Sequence, residues 1–114
     1  MTPYGRWYLL DRKRDRVKKV IRTLTWASTN NVYNNPVFNL VPIEVGTIVE
    51  LQIANNTNFS PIYSTDFNKV DSSERATGNL TFSGVTTLAF STIYYARTRI
   101  NGGIWSNVVS KTMS

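Results

Sequence analysis

The charged side chains available at neutral pH are seven carboxylates and thirteen Lys or Arg residues, in a chain of 114 residues that holds no histidine and no cysteine. Without thiolates and imidazoles there is no Cys or His zinc site, no disulfide framework, no thiol nucleophile and no His-based triad. Histidine is also the commonest general acid or base near neutral pH. An enzyme would have to work with Asp11, Asp15, Glu44, Glu50, Asp66, Asp71 and Glu74. Asp66, Asp71 and Glu74 cluster, and such a group suggests a calcium loop. Their spacing fits no calcium-ligand pattern, and Lys69 and Arg75 lie among them. A solvated loop is the expectation, with no catalysis, no metal and no cofactor.

Binding chemistry is better supplied. Tyr95, Arg97 and Arg99 alternate along one run, and Trp105 follows a turn later. On adjacent strands these side chains would share an outer face, where guanidinium groups stack on aromatic rings for about 0.5–1 kcal/mol each. A stiffening ladder is the favoured reading of this patch, and a site for an anionic or carbohydrate partner is the other. The second source is the N-terminus. Residues 1–22 hold eight basic and two acidic residues, a net +6, whereas residues 23–114 hold five of each. The whole excess charge therefore sits in one basic-aromatic arm.

In that arm Tyr4, Arg6, Trp7, Tyr8, Leu10, Arg12, Arg14, Arg16, Val17 and Ile21 combine apolar anchors with a cationic rim. That mixture suits docking onto a neighbouring protein. The same cations could neutralise phosphates while Tyr4, Trp7 and Tyr8 stack on bases, so nucleic acid is a second, weaker candidate partner. The conformation is open at this level. Trp7, Leu10, Arg14, Val17, Ile21 and Leu24 fall at helical spacing with one basic interruption, but residues 7–10 and 17–21 could instead pair as a hairpin across Asp11–Arg16.

The elements that would carry these groups are strands. Ser, Thr and Asn make up 36 of the residues and Val and Ile another 19, a mixture of turn formers and β-branched residues that marks an all-β domain. Short apolar runs are expected at residues 23–27, 37–41, 49–54, 59–63, 80–82, 92–100 and 104–112. Residues 49–54 alternate cleanly, with Val49, Leu51 and Ile53 on one face. Asn101-Gly102-Gly103 is a strong hairpin turn. Residues 66–78 look like a polar connection. Such a pattern specifies two packed antiparallel sheets, with residues 1–22 as an arm and residues 23–114 as a β-sandwich.

Within that sandwich, Leu88, Thr92 and Tyr94, followed by alternating Ala96, Thr98 and Ile100, resemble the sixth strand of a fibronectin type III domain. Residues 50–54 with Asn58-Phe59-Ser60 resemble its third strand and following turn, and residues 101–106, ending in Trp-Ser, resemble its last hairpin. The resemblance covers about residues 23–114 and implies that Leu88 and Tyr94 form the structural corner joining the two sheets. It also implies that Arg97, Arg99 and Trp105 form a ladder beside the Trp-Ser pair. Phe38 or Leu40 stands where the family carries a Trp on its second strand, and the arm has no counterpart in the family.

No run of eighteen apolar residues exists, so no membrane span is expected, and residues 1–14 do not read as a signal peptide. The sequons at Asn55, Asn58 and Asn79 are put down to chance. The absence of catalytic groups leads to a non-enzymatic structural module, and the fibronectin type III resemblance, with no signal peptide read, implies one of the kind found in bacteriophage virions as a decoration, neck or tail protein. Its expected partners are other virion proteins and copies of itself, and its expected location is the virion or else the cytoplasm. The alternatives are an adhesin for a host-surface glycan or protein, and a nucleic-acid-binding protein.

Overall fold

The computed structural model describes residues 22–114, which form seven strands and one short helix. β1 (Thr23–Trp26), β2 (Val37–Val41) and β5 (Asn79–Thr81) make one antiparallel sheet in the order β1-β2-β5. β4 (Ser64–Lys69), β3 (Ile48–Ala54), β6 (Ile93–Ile100) and β7 (Val109–Thr112) make the second, in the order β4-β3-β6-β7. Helix α1 (Ser72–Thr77) joins β4 to β5. The domain is an all-β sandwich of two antiparallel sheets.

Alternation decides which side chains meet between the sheets. From the first sheet come Leu24 and Trp26, then Phe38 and Leu40, then Leu80. The pairing sets Trp26 opposite Phe38, Leu24 opposite Leu40 and Phe38 opposite Leu80. From the second sheet come Val49, Leu51 and Ile53, and Tyr94, Ala96 and Thr98. Phe38 is at the centre, with the Trp26 ring 4.7 Å away and Phe82 5.9 Å away edge-on. Each such apolar side chain contributes about 1.5–3 kcal/mol when fully buried. The Trp of this core stands on the first strand and packs on Phe38 of the second.

Three connections differ from their sequence reading. Residues 66–78 are not a plain polar loop but most of β4, then α1. β4 shows no apolar alternation because it is a sheet edge whose more sheltered row is Ser64, Asp66 and Asn68. That row hydrogen-bonds a loop and the helix: Ser64 Oγ accepts from Thr86 N, Asp66 from Gly84 N, and Asn68 donates to Glu74 of α1. Residues 59–63 form no strand but an irregular connection after the turn at residues 57–58, with Phe59 at positive φ and backbone bonds from Phe59 N to Asn56 O and from Tyr63 N to Ile53 O. Finally, only Val109–Thr112 of the returning segment pairs with β6. Residues 104–108 instead follow an irregular path, tied to β6 where Ser106 N donates to Thr98 O.

Asn107 makes the join between the two sheets. Its Oδ1 accepts from Leu24 N at 2.9 Å and its Nδ2 donates to Leu24 O at 3.0 Å. One side chain thus occupies both backbone groups of a residue on the outer edge of β1.

Candidate binding surface

β6 pairs with β3 in a register that sets Arg97 opposite Gln52 and Arg99 opposite Glu50. Tyr94, Ala96 and Thr98 point inward, so Tyr95, Arg97 and Arg99 stand on the outer face. Arg97 Nε and Nη2 both donate to Gln52 Oε1, at 3.0 and 2.8 Å. Arg99 Nε donates to Glu50 Oε1 at 2.7 Å, a half-sheltered ion pair.

Two loops bring aromatic rings over these guanidinium groups. The β6 hairpin turn puts Asn101 and Gly102 at positive φ, and the chain returns so that Trp105 lies 4.2 Å from Arg97 and 4.4 Å from Arg99. Thr98 N donates to Ser106 Oγ and fixes that return. On the other side, Asn56 Oδ1 accepts from Asn58 N and Ser60 N and holds a tight turn. The turn presents Phe59, whose ring centre lies 4.2 Å from the Arg97 guanidinium. The result is a stack in the order Phe59, Arg97, Trp105, Arg99. Arg97 is a cation between two rings. Tyr95 shares the face but sits farther along, opposite Ala54 and Ser110.

Arg97, Arg99 and Trp105 are therefore brought together, and Phe59, Glu50 and Gln52 join them. The register supplies Glu50 and Gln52. Phe59 comes from a loop far away in sequence, and only the resemblance of its turn pointed towards it. The stack has both charge and apolar area, so it is chemically suited to an anionic or ring-bearing partner, and its internal bonds hold it rigid.

The same Trp105 borders a cleft of about 970 Å³ at the end of the sandwich where β1 begins. Leu40, Ile100 and Ile104 supply its apolar wall, with Arg22 and Arg99 also lining it. Arg22 Nε donates to Pro42 O at 2.9 Å.

The carboxylate cluster has local occupations. Asp66 receives Gly84 N at 2.8 Å, Asp71 caps α1 by accepting from Glu74 N, and Glu74 reaches back to Asp71 N. Among the described residues no group of three or more His, Cys, Asp or Glu is placed to hold a metal ion. No helix among them is long and apolar enough to cross a membrane.

At the corner, Leu88 is buried and Tyr94 is 1% exposed, its hydroxyl accepting from Ala89 N at 2.8 Å. The Tyr63 ring lies 5.0 Å from that of Tyr94, and its hydroxyl donates to Thr87 O. Partial burial, and after it the Tyr94 hydroxyl, raises the Tyr63 pKa above the usual phenol value. Tyr4, Arg6, Trp7, Tyr8, Leu10, Arg12, Arg14, Arg16, Val17 and Ile21, which the sequence suggests for docking, lie outside the described residues.

No family model matches the chain, and no curated protein matches it. Among solved structures it is similar to one titled "Structure of PhoD", at 15% sequence identity and a TM-score of 0.57. The match takes in 80% of this chain but only 18% of that one, so the chain spans less than a fifth of its neighbour's length. At this identity the likeness is one of fold.

Proposed function

We propose that this chain is a non-enzymatic structural and binding module, a bacteriophage virion component that docks on neighbouring subunits through its N-terminal arm and presents its sandwich outward. The carrying observation is the separation of charge from fold: residues 1–22 hold a net +6, and residues 23–114 are neutral. A neutral sandwich with a cationic, Trp- and Tyr-bearing extension has the composition of a module held by its extension. The likeness of residues 23–114 to fibronectin type III domains supports the same reading, because sandwiches of that kind serve as spacers and decorations.

The test is density-gradient fractionation of particles from the source, with this chain followed by mass spectrometry. Co-sedimentation at fixed stoichiometry is expected, with incorporation lost when residues 1–22 are deleted. A chain found only in soluble fractions would overturn the reading. One observation favours a second reading, an adhesin for a host-surface glycan or protein: Trp105 belongs to both the arginine stack and the cleft. In that case Trp105→Ala would abolish attachment and deletion of the arm would not.

A further inference from the structure

β4 is an edge of its sheet, and at 6 residues it is longer than β1, β5 and β7, the other edge strands described. Antiparallel strands turn the peptide groups of alternate residues to opposite sides. Asn101 N donates to Ile48 O, which directs Ile48, Glu50 and Gln52 to β6. Val70 N donates to Thr47 O, which directs Val49, Leu51 and Ile53 to β4, where Asn68, Asp66 and Ser64 are their partners. The N–H and C=O groups of Thr65, Phe67 and Lys69 therefore point out from the edge, with no partner among the described residues. Phe67 is 60% exposed beside this edge, and the register sets Ile48, 46% exposed, diagonally next to it. We propose that a second copy of this chain pairs here, β4 against β4, antiparallel about a twofold axis at Phe67.

The strand is complementary to itself in this register, as a twofold contact requires. With Phe67 opposite Phe67 of the copy, Thr65 stands opposite the copy's Lys69, and Asp66 opposite its Asn68. Thr65, Phe67 and Lys69 then form the facing pairs that exchange both backbone hydrogen bonds. Two aromatic rings meet at the axis with Ile48 on either flank, and no charge faces a like charge. Slipping the copy by one repeat in one direction sets Asp66 opposite Asp66, a like-charge pair that opposes association. Slipping it the other way leaves only residues 67–69 in register. Edge strands are commonly kept from pairing by proline, bulges or central charges. Residues 64–69 contain no proline, their pairing with β3 is unbroken, and the one charge of the exposed row, Lys69, falls at the end. Residues 23–114 carry no net charge, so two sandwiches approach without general repulsion. On β1, by contrast, Asn107 already occupies both backbone groups of Leu24.

Sedimentation equilibrium of the full-length chain tests this. A monomer–dimer equilibrium with a Kd below about 1 mM is expected. Phe67→Glu, which brings like charges together at the axis, should weaken the dimer by at least about tenfold. Phe67→Pro should do so by another route. The N–H of that residue faces away from β3, so proline removes a donor to the copy and leaves the strand's own pairing in place. Phe90→Glu, at a residue 69% exposed in the connection between β5 and β6, should leave the Kd unchanged. A chain that stays monomeric up to about 1 mM would overturn the proposal. So would a dimer that both Phe67 variants leave intact, or one that Phe90→Glu weakens as much, since either places the contact elsewhere. These readouts use the isolated chain and do not depend on particle incorporation, so this pairing and the virion reading can fail separately.

Discussion

Asn107 shows how much a single polar side chain can do at an open sheet edge. Leu24 is 2% exposed, so its N–H and C=O need partners, and the Asn107 amide serves both. Asn107→Ala leaves two backbone groups to whatever water can reach them. An unsatisfied buried group costs about 1–3 kcal/mol, and a loss of about 2 kcal/mol is expected, read as a lower urea midpoint with an unchanged slope. Asn107→Asp should recover only part of this, because a carboxylate accepts from Leu24 N but cannot donate to Leu24 O. Tyr63 makes a pH-dependent counterpart. Its hydroxyl is a donor to Thr87 O and its pKa is raised in the fold, so the neutral phenol is the form the fold favours. The resulting stability is fully present below the unfolded phenol value near 10 and is lost as pH rises through the folded value. Urea midpoints measured from pH 9 to pH 11 should therefore fall less steeply for Tyr63→Phe than for the parent chain.

The elements differ in how far their sequence reveals them, and the reason is which faces they bury. β2, β3 and β6 alternate because one face of each packs on the opposite sheet, and all three are legible from period-two hydrophobicity. β4 is not, because its sheltered row hydrogen-bonds a loop and the helix and carries Ser64, Asp66 and Asn68. α1 buries no residue at all, so it has no apolar stripe to find. Its signal is the capping box Asp71-Ser72-Ser73-Glu74, in which two of the carboxylates that suggest a calcium loop serve as N-cap and N3. The arginine stack was half legible: Arg97 and Arg99 share a face by alternation, whereas Phe59 and its turn depend on tertiary placement. Asp71→Ala is expected to cost about 1 kcal/mol, the usual value of an N-cap. Gly78, which ends α1 at φ 78°, is the more sensitive position. A Cβ there would lie 2.4 Å from Val41 Cγ1, whereas one at Gly46 (φ 87°) would meet nothing within 4 Å. Both glycine-to-alanine changes incur the left-handed penalty of about 1–2 kcal/mol, but only Gly78→Ala adds a clash with a β-branched side chain. Thermal unfolding should rank Gly78→Ala well below Gly46→Ala.

At the scale of the whole molecule, the neutral sandwich and the cationic arm separate two kinds of binding by their response to salt. Residues 1–21 contain seven Lys or Arg residues, and if about six of them neutralise phosphates, counterion release sets a slope near −5 in log affinity against log salt. Raising salt from 50 to 200 mM would then weaken duplex DNA binding by about a thousandfold. The proposed docking on a protein neighbour through Trp7, Tyr8 and Leu10 would have a large apolar component, which salt does not screen and which increases with buried area. Retention on purified particles lacking this chain should therefore change far less than a thousandfold over the same range. The two modes also separate by substitution. Arg12, Arg14 and Arg16 changed together to Gln should remove the DNA affinity and flatten its salt dependence, while Trp7→Ala with Leu10→Ala should remove particle binding and leave the DNA slope nearly intact. If the arginine variants instead abolished both in parallel, charge alone would be holding the arm, and the docking reading would give way to the nucleic-acid one.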